Sequence, residues 1–125
     1  VEALAKAQQA GKIKHIGLSN VTKEQLVRAL TVAPIASVQN RFNQVETDAS
    51  ELVDYTHERG IAFIPYGPLG AHPMKQGAKL PPKEAIAWLV RRSPNIIVIP
   101  GTTSIDHLRD NASAWDLHAP STHCI

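Results

Sequence analysis

Four short stretches of this 125-residue sequence place small, polar or aromatic residues directly after an apolar run: Ser19-Asn20, Gln39-Asn40, Tyr66 through Gly70, and Gly101-Thr102-Thr103. Asn20 and Gln39 each offer a carboxamide, one acceptor with two donors, which matches a second carboxamide such as that of a nicotinamide ring. Ser19 and Asn20 also suit helix capping, whereas Gln39 is a poor cap. Tyr66 can stack its ring on a flat ligand or sit in a core. Gly67, Leu69 and Gly70 form a turn that either lets a pyrophosphate approach backbone N–H groups or is simply a Pro-Gly turn. Thr102, Thr103 and Ser104 precede a helix whose first-turn N–H groups favour an anion, phosphate above all. Ser104 can cap that helix at the same time. His107 and Arg109 lie close enough to face a phosphate, with plain solvent exposure the competing reading for Arg109.

The elements that must position these residues follow from period and punctuation. Strong helix formers fill 2–9, and Gly11 stands where a left-handed C-terminal cap is preferred. A strand is expected over 13–18. Thr22 with Gln25 makes a capping box for a helix over about 23–31, ended by Pro34. A second strand is expected over 37–43, then a helix over about 50–58 closed by Gly60. The nearly all-apolar run 61–66 reads as a third strand. Pro81 and Pro82 open a helix whose apolar face includes Ala85, Ile86, Trp88, Leu89 and Val90. A fourth strand is expected over 96–99 and a last helix over about 104–115. The order is one helix and then four strand–helix units. Such apolar strands belong in a parallel sheet covered by helices, either an open doubly wound sheet or half of a (βα)8 barrel. In both, chemistry sits at the C-terminal ends of the strands, where the four polar stretches lie.

Composition narrows the function. With 13 Lys and Arg against 11 Asp and Glu the formal charge is only +2, and no basic run tracks a nucleic acid, so no nucleic-acid partner is expected. No apolar stretch approaches ~20 residues, so no membrane span is expected. A single cysteine, Cys124, excludes an internal disulfide framework, and the scattered histidines lack metal-ligand spacing, which points to a cytoplasmic setting without a metal. G-x-G-x-x-G and Walker A patterns are absent. Glu46, Asp48 and Glu51 read as an acidic helix start. The sequence has no initiator Met and begins within a helical pattern, so it is expected to be a piece of something longer.

The segments Gly11-Lys12-Ile13-Lys14-His15-Ile16-Gly17-Leu18-Ser19-Asn20 and Val38-Gln39-Asn40-Arg41-Phe42-Asn43 resemble the aldo/keto reductases' G-K-I-R-x-I-G-x-S-N and V-Q-N-x-[YF]-N. Gly60 through Gly70, Ala87-Trp88-Leu89, and Ile99-Pro100-Gly101-Thr102 through Asn111 are similar to that family's last strands and helices. The resemblance covers 1–117 in order, as one partial barrel unit, and leaves 118–125 as a frayed tail. It implies an α/β fold, a parallel (βα)4 half of a (βα)8 TIM-type barrel comprising strands five to eight, and NADP(H) bound in extended form. By resemblance Ser19, Asn20 and Gln39 hold the nicotinamide carboxamide and Tyr66 stacks on its ring. Gly67, Leu69 and Gly70 approach the pyrophosphate. Gly101, Thr102 and Thr103 meet the adenosine phosphate, and Asn111 meets the adenine.

Two departures stand out: Gly101 and His107 occupy places where some relatives carry Lys and Arg, and the loop over 71–80 is short. The family's catalytic Asp, Tyr, Lys and His belong to strands two to four, and no residue here takes those roles. The expected activity is therefore that of a longer enzyme, hydride transfer from NADPH to a small-molecule carbonyl. A non-catalytic cofactor-binding or subunit-like half barrel is the alternative, and a phosphate-binding half barrel that pairs with itself a third. Open barrel edges and an apolar inner face are expected to drive self-association.

Overall fold

The computed structural model describes residues 1–70 and 80–116; the expected frayed tail with Cys124, and nearly all of the short loop, lie outside them. The elements run α1 (Glu2–Gln9), β1 (Ile16–Ser19), α2 (Lys23–Leu30), β2 (Ile35–Arg41), α3 (Ser50–Glu58), β3 (Ala62–Tyr66), α4 (Pro82–Arg92) and α5 (Ile105–Ser113). The three strands form one parallel sheet in the order β1-β2-β3. None of the described helices is long and apolar enough to cross a membrane.

Helix ends follow local chemistry. Thr22 accepts from the Gln25 backbone N–H, and the Gln25 side chain accepts from the Thr22 N–H at 2.9 Å, the capping box expected. At the end of α1, Gly11 adopts φ +70°, Gly11 N–H donates to Gln8 O and Lys12 N–H to Ala7 O, both at 2.9 Å. That is a Schellman motif, and Gly60 repeats it after α3. The motif delays β1. Lys12 is committed to the helix end and Lys14 O accepts from the Gln8 side chain at 2.8 Å, so the strand begins at Ile16 and not at 13.

The expected fourth strand is not a full strand. Asn95 O accepts from Phe63 N–H and Phe63 O accepts from Ile97 N–H, each at 2.9 Å, leaving one parallel bridge between Phe63 and Ile96. The next donor in that ladder belongs to Pro65, which has no N–H, so pairing stops there.

The core lies between the sheet and its helices. Leu18, Val38 and Phe63 share one register row, and the latter two are fully buried with Phe42, Leu26, Val53 and Leu89. The opposite face carries the rows Gly17–Ser37–Ala62 and Ser19–Gln39–Ile64, then Arg41 beside Tyr66 at the top. Small and polar residues dominate that face, which corrects the expectation of an apolar inner surface. β1 pairs with β2 alone among the described strands, so its other side is an edge.

α3 and α4 are tied by Arg92, which donates to Asp54 Oδ1 at 2.8 Å and to Ser50 O at 3.4 Å. This hydrogen bond, more than the Coulomb attraction, holds the Asp54 carboxyl below its ordinary value of 3.8. A depressed carboxylate contributes stability above its unfolded pKa and loses it as pH falls through the folded one. Asp54 is 59% exposed, so the pair is worth less than about 1 kcal/mol. Asp54→Asn is therefore expected to lower the urea midpoint slightly at pH ~7 and to lower it less at pH ~2.5, as the Asp54 carboxylate is lost on the way down through its depressed pKa. An equal deficit at both pH values would exclude the ion pair as the cause.

Candidate functional site

The strand ends deliver the sequence-singled residues to one end of the sheet. Ser19 closes β1, Gln39 sits opposite it in register two residues before the end of β2, and Tyr66 closes β3 beside Arg41. Asn20 takes φ +53°, tolerated by asparagine, which turns the chain out of β1. Its N–H donates to Gln39 O at 3.0 Å and its Oδ1 accepts from the Tyr66 hydroxyl at 2.7 Å. Among the described residues the Asn20 amide NH2 is left for another acceptor, and the bond ties the Tyr66 hydroxyl to the chain just past β1. Asn40 braces the same loop, accepting from Val21 N–H at 3.1 Å and donating to Val21 O at 2.8 Å. Asn20, Asn40, Arg41 and Tyr66 line a cavity of about 510 Å³ with residues of the α2 and α3 starts.

Next along the chain is the Gly67–Gly70 turn, closed by Gly70 N–H donating to Gly67 O at 3.0 Å. Gly67 takes φ +64°, and a Cβ there would stand 3.0 Å from an Arg41 guanidinium nitrogen. On the far side of the turn, Leu69, Gly101, Thr102, His107 and Asn111 line a cleft of about 590 Å³ together with Pro82, Lys83, Glu84 and Asp110. The sequence reading did not single out Lys83, Glu84 and Asp110; only the packing of α4 beside α5 brings the first two here. Thr103 does not line the cleft. Ser104 caps α5 by accepting from His107 N–H at 3.4 Å, and Ser104 N–H donates to Thr102 Oγ1 at 3.1 Å. Arg109 pairs with Asp106 at 3.4 Å on the exposed side of α5, in line with the solvent-exposed reading.

Beneath the turn lies a polar cluster that sequence reasoning missed. Arg41 Nε donates to Glu46 Oε2 at 2.6 Å, and Asn43 Nδ2 donates to the same oxygen at 2.8 Å and to Gly67 O at 3.0 Å. Asn43 Oδ1 accepts from the Val45 and Glu46 N–H groups, each at 3.0 Å. Asn43 is fully buried, and all four of its hydrogen-bonding capacities are used. The hydrogen bond to Glu46 holds the Arg41 guanidinium more firmly protonated than usual. Glu46 thus closes a tight turn after β2 and is not part of the acidic start of α3. Glu51 does lie in the first turn of α3, where it pairs with Lys23 at 2.5 Å. Among the described residues no group of three His, Cys, Asp or Glu could hold a metal.

The donor set, running from amides and an aromatic ring past a glycine turn to a helix N-terminus with hydroxyls, suits an extended ligand with a flat carboxamide ring at one end and phosphate in the middle and far parts. The sequence profile of the Aldo/keto reductase family matches residues 1–84. The chain is 43% identical over 125 residues to pyridoxine 4-dehydrogenase of Escherichia coli K12, covering 92% of this chain and 44% of that protein. Its structure is similar to aldose reductase from Giardia lamblia, with TM-score 0.77 and 22% identity over 95% of this chain and 45% of the other. It is also similar to the holo form of an aldo-keto reductase from Bacillus halodurans, with TM-score 0.67 and 18% identity over 91% of this chain and 48% of the other. The chain spans less than half the length of the curated relatives it matches.

Proposed function

Because this chain belongs to the aldo/keto reductase family, we propose that it is the cofactor-holding half of an NADP(H)-dependent oxidoreductase that reduces a small-molecule carbonyl in the cytoplasm. The observation that carries this reading is that the Gly67–Gly70 turn runs from Tyr66, which lines one cleft with Asn20, to include Leu69, which lines the other with Thr102, His107 and Asn111. In this reading Ser19, the free Asn20 NH2 and the Gln39 amide hold the nicotinamide carboxamide while Tyr66, fixed through its hydroxyl, packs on the ring. The Gly67, Leu69 and Gly70 backbone faces the diphosphate. Gly101, Thr102 and Thr103 meet the adenosine-side phosphate at the start of α5, and Asn111 meets the adenine. Lys83 supplies positive charge in that cleft and His107 an imidazole, against Glu84 and Asp110, a weaker clamp for a 2′-phosphate than paired Lys and Arg. The cofactor, when bound, supplies the hydride for the carbonyl carbon; this chain binds, orients and excludes water.

A second reading, a binding or subunit-like module, is favoured by one feature: among the described residues that line the two clefts, none is matched to the family's acid–base group. Self-association through the β1 edge belongs with that reading.

Isothermal titration tests the proposal. NADPH is expected to bind with a dissociation constant of about 10 μM to 1 mM, since ordering costs oppose the phosphate contacts. Thr102→Pro, which removes an N–H at the start of the phosphate cleft and distorts the loop, is expected to weaken binding at least ~10-fold, about 1.4 kcal/mol. Equal binding by the variant would remove this cleft from the proposal.

A further inference from the structure

We infer that Arg41 and Asn43, oriented by Glu46, are positioning residues that make the Gly67–Gly70 turn able to receive an anion. The inference rests on the reading that this turn meets the diphosphate of a dinucleotide. A tight turn exposes carbonyl oxygens as readily as N–H groups, and an exposed carbonyl repels a phosphate oxygen. Here three of the turn's carbonyls, those of Gly67, Leu69 and Gly70, are engaged from the protein side. Gly67 O accepts from Asn43 Nδ2 at 3.0 Å as well as from Gly70 N–H. Gly70 O accepts from Arg41 Nη2 at 3.5 Å, and Leu69 O accepts from Leu80 N–H at 3.1 Å.

Two of these three tethers come from the end of β2. That strand end also carries the register partner of Tyr66, so the turn is fixed relative to the ring-stacking position. Glu46 makes the bracket rigid by accepting from both Arg41 and Asn43 through one oxygen. It also compensates the guanidinium charge. Arg41 therefore acts through the backbone of the turn and not as a free cation. A planar fork is required: Nε serves Glu46 while Nη2 reaches Gly70, a pairing that a lysine ammonium cannot make from one point.

The test compares two ligands on the whole chain. NADPH contains the diphosphate bridge, and adenosine 2′,5′-bisphosphate contains only the part expected in the Thr102 cleft. Arg41→Met is expected to raise the dissociation constant for NADPH about tenfold and to change that for the bisphosphate less than about twofold. Arg41→Lys is expected to recover only part of the loss. Should Arg41→Met fail to fold, as judged by circular dichroism, Glu46→Gln keeps the shape and weakens the bracket, with a loss of about threefold for NADPH alone. Unchanged NADPH affinity in a folded variant, or equal losses for both ligands, overturns the inference while leaving the proposed function in place. Binding of neither ligand by the unmodified chain overturns the proposed function and the inference with it.

Discussion

Phe42→Ala is expected to destabilise the fold by about 3–5 kcal/mol, the cost of deleting a large aromatic from a core that cannot collapse around the gap. Phe42 has no exposed surface. Its ring meets Phe63 edge to face at 5.9 Å between centroids and lies tilted against Trp88 of α4 at 5.5 Å. Just past the end of β2, it thereby packs against both β3 and α4. Domains of this size are stable by ~5–15 kcal/mol in total, so the loss is roughly a fifth or more of what holds the chain together. Urea unfolding followed by circular dichroism checks it. Leu108→Ala, on the exposed side of α5 at 58% exposure, is the reference and is expected to shift stability by less than about 0.5 kcal/mol. A Phe42→Ala midpoint near that of Leu108→Ala would mean that the three-ring contact contributes little. Phe42 also lies between Arg41 and Asn43, so partial loosening should weaken NADPH binding before it unfolds the sheet.

What the sequence disclosed, and what it did not, divides by range. Helix ends depend on neighbours within a few residues, so Thr22 with Gln25, and Gly11 and Gly60, were readable and stand where they were expected. Strand limits depend on partners far along the chain. The stretch 96–99 has a strand's composition, yet its pairing is decided by Pro65, about thirty residues earlier, which lacks the donor needed beyond Ile97. The start of β1 is decided closer by, where the Gln8 side chain captures Lys14 O. The strand-end residues proposed to bind were legible as candidates because parallel sheets place ligands there. Arg41, Asn43 and Glu46 were not, because their role exists only once the Gly67–Gly70 turn packs over the end of β2. The spacing Asn43 to Glu46 did hold a signal: an asparagine whose side chain accepts from N–H groups two and three residues on marks a tight turn. Glu46 was instead assigned to the helix start on charge alone.

Assayed by itself, this chain is expected to show no NADPH-dependent reduction of a simple aldehyde. Carbonyl reduction needs a proton donor at the carbonyl oxygen as well as a hydride at the carbon, and a positioned general acid contributes ~10²–10⁴-fold, or roughly 3–5 kcal/mol of barrier. Among the described residues around the ring end, Lys23 lines the cavity, but its ammonium is bound to Glu51, which holds it more firmly protonated than usual. The Tyr66 hydroxyl is the nearest phenol, and its hydrogen is directed at Asn20 Oδ1, 2.7 Å away. Tyr55, the other tyrosine, lies on α3 with its ring covered by the Arg59 guanidinium at 3.6 Å and Lys23 at 5.3 Å, outside the mouth of the sheet. His107 lines the cleft on the opposite side of the glycine turn, where the adenosine end is proposed to lie. Ser19, Asn20 and Gln39 are neutral groups that can orient a carboxamide but are too weakly acidic to protonate an alkoxide in flight. Binding without turnover is thus the expected behaviour: NADPH titrates, and its absorbance stays constant when aldehyde is added. Saturable, aldehyde-dependent NADPH oxidation that disappears in Tyr66→Phe would show that Tyr66 can release Asn20 and act as the acid, and the assignment of this half of the barrel to binding alone would fall.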